Sequence, residues 1–463
     1  MVAALMLVGA AIAFAAEAGA TEVGVNVPSM TQFSAPKALA AIRESRPAWV
    51  RVFLPWDDVE PTQGSYLPGW ISTYQHFFDA VPKGTKIDVD VVGTPAWANG
   101  GAGTAAPPSD PNTFAQYVNH LVTAFHGRVN AWEIWNEESS PNWWSGSVAQ
   151  FAALMKAAYP AIKSADPKAV VIMGANSPEM LAALYGDGIK GYFDGDAVHT
   201  DTACNITSPY IYEYNRDTTT VNQYFFLGFT GIHAIMAAHG DGSKPIYMTE
   251  IGWSSTDAEC QTGEWAGQKV AGVSEATQAQ YLMQAYHCLA QPKYSYVKAA
   301  MWFELANGGN DSAAEDNYGL LNANLTPKPA FPAFEQVSTH RDTASGSCGN
   351  FAGPRIRILH PTPGKRFSGP LRIAVAASSP ANGVREITIE LTGHSREHFG
   401  PKKGKRFPTT LRASLTWNGA SRLRAGPHRI KVIVIDKLGN VSTRTFDVVH
   451  MPGRRAPRHQ AHH

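Results

Sequence analysis

The sequence predicts an α/β protein, a (β/α)8 TIM barrel, followed by a small all-β sandwich of immunoglobulin-like type. Three observations carry this expectation. Over about 320 residues, eight short apolar runs alternate with helix-like segments, the pattern of a parallel sheet covered by helices. Beyond residue 354, short alternating strands crowd between Pro, Gly and Asn turns. Charge divides at the same place: residues 354–463 hold 21 Lys/Arg against 5 Asp/Glu, and residues 1–353 hold 18 against 33. The whole chain sums to +1, so its two parts are read as modules with different surroundings. At 463 residues and 44% apolar content, it is long enough for two or three domains with full cores.

Residues 1–20 read as an export signal. Met1 to Ala16 is almost wholly apolar, and Ala18-Gly19-Ala20 has the small-x-small form of a cleavage site. No Lys or Arg precedes the apolar run, which argues against a signal, and an uncleaved N-terminal anchor is the alternative on length. Residues 21–338 are assigned to the barrel. Its strands are expected at 23–27, 48–54, 86–92, 129–135, 169–174, 196–199, 245–249 and 298–303, with helices at 36–45, 112–125, 148–164, 221–239 and 277–289. A doubly wound open sheet is the structural alternative, but no Gly-rich phosphate loop follows the first strand. Residues 339–353, rich in Ser, Thr, Gly and Asn, form a linker or barrel exit. The sandwich takes residues 354–452, with strands at 355–359, 371–377, 386–391, 411–416, 428–435 and 441–448. Residues 453–463 are a basic, His-rich tail expected to be disordered and without a metal role. No later stretch is apolar enough for an integral membrane span, so the mature protein is expected outside the cell or at its surface.

The four cysteines, Cys204, Cys260, Cys288 and Cys348, suit two disulfides in an exported chain, with three possible connectivities. Cys204–Cys260 and Cys288–Cys348 are preferred. None has the paired spacing of a zinc site, and no metal or other cofactor is expected.

The chemistry is expected at two strand ends. Val129-Asn-Ala-Trp-Glu-Ile-Trp-Asn-Glu137 ends an apolar strand in Asn136-Glu137, and Trp143 and Trp144 follow. Pro245-Ile-Tyr-Met-Thr-Glu250-Ile-Gly-Trp253 ends another in Glu250. Side chains at the carboxyl ends of barrel strands face the mouth, and strands four and seven look across it at each other. Two such carboxyls suit a general acid and a nucleophile at a glycosidic bond. Aromatic walls would raise the pKa of Glu137 by excluding water.

These stretches resemble clan A glycoside hydrolases, with family 39-type and family 5-type enzymes, including bacterial exopolysaccharide glycosidases, the nearest likeness. Supporting fragments recur in order: Trp49-Val-Arg51 at strand two, Gly93-Thr-Pro-Ala-Trp97 after strand three and Ala300-Met-Trp302-Phe at strand eight. The likeness spans roughly residues 23–335. It implies a retaining β-glycosidase with Glu137 as acid/base and Glu250 as nucleophile. Asn136 would contact the sugar 2-hydroxyl, Trp302 would floor the sugar, and Arg51 would keep the nucleophile charged. His199 falls where the clan commonly has a His. The chain departs from the pattern twice. Glu138 replaces the usual Pro after the acid/base and would raise the Glu137 pKa or face solvent. Asp201 stands where a Tyr is common, with Tyr210, Tyr212 or Tyr214 as substitutes.

Other readings compete. Glu304, at the end of strand eight, is the rival carboxylate. Glu133, Asp88 and Asp90 are read as structural, with Arg51 as partner if they face inward. Trp97, Trp143 and Trp253, with Trp56, Trp144 and Trp302, fall at the rim, where about half are expected to stack on a polysaccharide or oligosaccharide. The basic sandwich is either a spacer or a contact to cell wall or anionic glycan. It carries no nucleic-acid motif, so no nucleic-acid partner is expected. The alternative to an enzyme is a non-catalytic carbohydrate-binding or adhesive protein on the same scaffold.

Overall fold

The computed structural model describes residues 21–451, apart from 175–176, 201–203, 205, 213–220, 262–265, 311–312, 340–347, 350–352, 381, 392–394, 403–404 and 438. The export signal, most of the 339–353 connector, the 453–463 tail, Asp201 and Tyr214 lie outside the described residues.

Eight parallel strands pair in sequence order and close into a barrel: β1 (Glu22–Asn26), β2 (Trp49–Pro55), β3 (Lys86–Val92), β4 (Ala131–Ile134), β5 (Val170–Met173), β6 (Gly195–His199), β7 (Ile246–Ile251) and β8 (Val297–Trp302). Closure through β1 and β8 excludes the open doubly wound sheet. Helices α1 (Pro36–Ser45), α2 (Trp56–Val59), α3 (Pro68–Ala80), α4 (Ala96–Asn99), α5 (Pro111–Ala124), α6 (Val148–Ala165), α7 (Pro178–Gly186), α8 (Phe229–Ala238), α9 (Glu275–Leu289) and α10 (Ala330–Thr339) follow the strands. The sequence reading named no helix at α2, α3, α4, α7 or α10. Both α3 and α7 begin with Pro at the first turn, and α3 is rich in aromatic residues of weak helix propensity. Tertiary burial of Tyr74, Phe77 and Phe78 decides α3.

One end of the barrel interior is filled by Trp49, Ala131, Ile172, Ala197, Tyr247, Ala299 and Met301. Gly24 and Gly195 make room for the large members. A Cβ on Gly24 would lie 2.8 Å from Trp49 Cβ, and one on Gly195 would lie 2.6 Å from the Tyr247 ring. Above this apolar plug, the interior is polar and centred on Arg51.

The chain divides into two compact units, and Ile211–Leu227 groups with the C-terminal one. The helix expected over 221–239 begins only at Phe229, after a 3-10 turn at Phe226–Gly228. In the C-terminal unit, buried Tyr212 donates its hydroxyl to Asn440 Oδ1 at 2.7 Å. The C-terminal unit is a sandwich of two sheets. One is β10 (Arg366–Phe367), β16 (Val441–His450), β15 (Gly426–Asp436), β12 (Val384–Leu391) and β13 (Ser395–Phe399), in that order. The other is β14 (Thr410–Trp417), β11 (Leu371–Ser378) and β9 (Arg355–His360). Their facing sides share a core that includes Ile373, Val375, Ile387, Ile389, Val432 and Val448. The short strands β10 and β13 were not expected.

Cys204 and Cys260 form a disulfide, as expected. Cys288 and Cys348 are oxidised as well, and no cysteine is free. No helix among the described residues is long and apolar enough to cross a membrane.

Candidate active site

Glu137 and Glu250 meet because two strand ends depart from regular geometry. After β4 the backbone turns left-handed at Trp135 (φ 70°) and at Glu137 (φ 43°), a conformation that costs a non-glycine residue about 1–2 kcal/mol. Packing holds it there. Trp135 is buried, donates its indole N–H to the Trp143 carbonyl at 2.7 Å, and packs edge-on against Trp144. Gly174 gives this turn room, since a Cβ there would lie 2.4 Å from the Trp135 carbonyl oxygen. On β7, register shifts against both neighbours let consecutive residues serve one site. Thr249 hydrogen-bonds Glu133 and His199, while Glu250 reaches Arg51. One carboxylate oxygen each from Glu137 and Glu250 and one nitrogen of His199 all lie within 4.8 Å of one another.

Arg51 organises this layer. It is fully buried, and all five of its N–H donors are used. Nε donates to Glu133 Oε2 at 2.6 Å. Nη1 donates to Glu250 Oε1 at 2.7 Å and Asn26 Oδ1 at 3.0 Å. Nη2 donates to Asp90 Oδ2 at 2.8 Å and Asn136 Oδ1 at 3.1 Å. One guanidinium cannot neutralise every nearby acid. Burial first, then Glu133, pushes Asp88 well above the usual carboxylate range, with Arg51 opposing. Asp90 is also pushed up by burial, against the pull of Arg51. The structural reading of Glu133, Asp88 and Asp90, with Arg51 as partner to the first and last, matches these contacts.

His199 bridges the two glutamates. Its Nδ1 lies 2.9 Å from Glu137 Oε1, and its Nε2 lies 3.1 Å from Thr249 Oγ1 and 3.7 Å from Glu250 Oε1. Burial works to lower its pKa, but the charges of Glu250 and Glu137 outweigh it and hold the imidazole up at about 10. The pKa expected for Glu137 is therefore corrected. Burial does push it up, but hydrogen bonds and charge from His199, with smaller help from Arg51 and the Trp143 side chain, bring it below the usual value. Glu138 does not face solvent either. It is 3% exposed, its oxygens have no hydrogen-bond partner among the described residues, and burial keeps it protonated far above the usual range.

Glu137, His199 and Glu250 converge as three possible metal ligands. His199 engages both ring nitrogens, Nδ1 with Glu137 and Nε2 with Thr249, an arrangement that suits proton transfer between them.

The aromatic rim is sorted by burial. Trp302, expected to floor the sugar, is fully buried, with its N–H on the Tyr318 carbonyl at 3.0 Å, so none of its ring is exposed. Trp253 is also buried, donating to the Thr207 carbonyl, and Trp56 and Trp144 are buried too. Trp97 is half-buried, with its N–H on the Glu60 carbonyl. Trp143 is 37% exposed and stacks on Phe53, whose ring also lies 4.7 Å from the Arg51 guanidinium carbon. Asn136 is 2% exposed and takes its place beside Arg51. Of the Tyr substitutes, Tyr212 is turned to Asn440 and Tyr210 packs edge-on against His287. Glu304 is 6% exposed at the end of β8, pushed up to about 8 by burial, then by the charges of Asp316 and Glu250.

Sequence reasoning missed Asn26, Thr249 and Phe53. Asn26 donates Nδ2 to the Thr249 carbonyl at 2.8 Å, clamping β1 to β7 beneath Arg51. Thr249 directly precedes Glu250, but strand alternation would have turned it outward. Phe53 lies two residues beyond Arg51, on the same face of β2, which was the signal that could have found it.

No protein-family model matches the chain, and no curated protein matches it in sequence. Solved structures do match in fold. A family 39 glycoside hydrolase from Bacteroides cellulosilyticus WH2 is 18% identical with a TM-score of 0.55, over 86% of this chain and 80% of that one. GH5_18 from Streptomyces cattleya, solved in complex with GlcNAc, is 15% identical with a TM-score of 0.50, over 71% and 82%. GH5_18 from Bifidobacterium longum subsp. infantis is 14% identical with a TM-score of 0.50, over 72% and 81%. The chain thus shares the fold of clan A glycoside hydrolases, as its motifs suggest.

Proposed function

We propose that the chain is a secreted retaining β-glycosidase that cleaves a poly- or oligosaccharide by double displacement. The observation that carries this is the approach of Glu137 and Glu250 oxygens to within 4.8 Å. Retaining enzymes hold their carboxyls about 5–5.5 Å apart, whereas inverting ones leave about 6.5–9.5 Å for a water. Glu250, ion-paired to Arg51, is the nucleophile. In the first step its oxygen bonds to the anomeric carbon as the glycosidic C–O bond breaks. The leaving oxygen takes a proton from Glu137, which draws it from His199 Nδ1 along the 2.9 Å contact. In the second step Glu137 accepts a proton from water, the water oxygen bonds to the anomeric carbon, and Glu250 is released. The proton then returns to His199. A Glu137 held low in the free enzyme is compatible with this role, because the pair, not either residue, stores the proton. Disulfide-bonded cysteines favour an oxidising compartment, which supports secretion.

Trapping with a panel of 2-deoxy-2-fluoro glycosyl fluorides, followed by peptide mass mapping, tests the assignment. A label on Glu250 is expected, and a label on Glu304 or another carboxylate overturns it. Glu137→Ala and Glu250→Ala should each lower turnover by about 10⁴-fold or more. Azide should then yield a glycosyl azide of retained anomeric configuration with the first and inverted configuration with the second.

A further inference from the structure

We propose that the outer face of the three-stranded sheet in the C-terminal sandwich binds an anionic polysaccharide through a row of unpaired arginines. Register defines the face. Ile356, Ile358, Ile373, Val375, Ala413 and Leu415 pack into the core, so the alternate positions point away from it. Those positions carry Arg355 and Arg357 on β9, Arg372 on β11 and Arg412 on β14, all exposed. Ala376 pairs with Arg357 on one side and Arg412 on the other. Ser378 pairs with Arg355 and Thr410, and Arg372 pairs with Thr416. With strands about 4.8 Å apart and two residues rising about 7 Å, Arg357 stands about 7 Å from Arg355 and about 10 Å from Arg412.

Among the described residues, no acidic side chain pairs with this face. All five acidic residues beyond 354 (Glu386, Glu390, Glu397, Asp436 and Asp447) lie on strands of the other sheet. Among the described residues, none of the four arginines has an ion pair, while the other sheet forms His398–Glu386 and Arg429–Asp447. Like charges this close, within about one Debye length, repel until an anion lies across them. Thr409, next to Thr410, lines a cleft of about 710 Å³ that also presents Lys405, Arg406 and Lys437.

Planar guanidinium groups donate two parallel hydrogen bonds to a carboxylate or sulfate. Between them, Ser378, Thr410, Ser414 and Thr416 present hydroxyls suited to sugar hydroxyls. Among the described residues the face carries no Phe, Tyr or Trp, since Trp417 packs inward, and its one ring is the exposed His360 opposite Ala374, so it lacks the row of stacking platforms that single-stranded nucleic acid uses. The choice of polysaccharide among polyanions rests in part on the glycosidase reading of the barrel; the arginine face does not.

The test is affinity electrophoresis of the full chain through gels holding polygalacturonate or neutral hydroxyethylcellulose, with a DNA duplex and phosphatidylserine vesicles as competitors. Retardation by polygalacturonate alone is expected. It should weaken about tenfold or more in Arg357→Gln/Arg372→Gln/Arg412→Gln, and less than about twofold in Arg396→Gln/Arg422→Gln/Arg424→Gln, which loses the same charge elsewhere. Equal loss in both variants, no retardation of the wild type, or stronger competition by DNA or vesicles than by free polygalacturonate overturns the proposal. Hydrolysis of small soluble glycosides, measured in parallel, reports on the barrel separately. A barrel without activity but with normal retardation sinks the glycosidase reading and leaves this one standing.

Discussion

Arginine plays opposite parts in the two halves of the chain. Arg51 is wholly buried, and its five N–H groups meet Glu133, Asp90, Glu250, Asn26 and Asn136. Arg357, Arg372 and Arg412 are exposed and face no acidic residue on their sheet. The same side chain therefore orders a buried polar layer in one unit and leaves an unfilled charge in the other. The difference lies in dielectric and partners. Inside the barrel a charge survives only with counter-charges at hydrogen-bond distance, and removing one strands the rest. On the sheet, water screens each arginine, so the fold tolerates its being unpaired or lost.

The sharpest way to break this comparison is Arg51→Met. It leaves Glu133, Asp90 and Glu250 without their cation, and should destabilise the barrel by about 3–5 kcal/mol as well as abolish turnover. Urea unfolding followed by the intrinsic tryptophan signal measures it. A loss under about 1 kcal/mol would mean the layer is not held by this residue.

A smaller effect is expected from His199→Asn. His199 is held up at about 10, so its stabilising contribution is complete below its unfolded pKa of about 6.5 and fades as pH rises towards 10. Glu137 is held low, so its contribution is present above its unfolded pKa of about 4.3 and is lost as pH falls through the lowered value. Without His199, the pH dependence of stability between about 6.5 and 10 should flatten. The alkaline limb of kcat/KM should also move down by about two pH units or more, because Glu137 alone cannot hold the proton. An unmoved limb in the pH–rate profile would show that the two residues do not share it.

The smallest effect belongs to the sheet. Arg412→Gln should change stability by less than about 0.5 kcal/mol, in the stabilising direction at low salt, where repulsion from Arg357 is least screened. Thermal unfolding at two ionic strengths checks this. A large loss would mean that Arg412 has a structural partner after all.

Much of this was legible in the sequence. Alternation of apolar runs with amphipathic segments located all eight barrel strands to within two residues, because a buried parallel strand must be apolar on both faces. Glu137, Glu250, Arg51 and His199 were singled out by strand-end position and motif, and the structure brings all four into contact in one layer. The roles of the tryptophans were not legible. A Trp at a strand tip has the same sequence signature whether its ring faces solvent, as Trp143 does, or is sealed like Trp302.

What the sequence determined by itself was periodicity, the placement of carboxylates at strand ends, and the division of charge between two modules. These are local or additive properties of the chain. Only the tertiary structure decided which carboxyls keep protons, because Asp88, Glu138 and Glu304 are pushed up by burial and by neighbours distant in sequence. It also decided that Thr249 and Glu250 share one site, through register shifts that alternation cannot foresee. And only strand pairing placed four scattered arginines on a single face, since a row across a sheet is made by register and not by spacing along the chain.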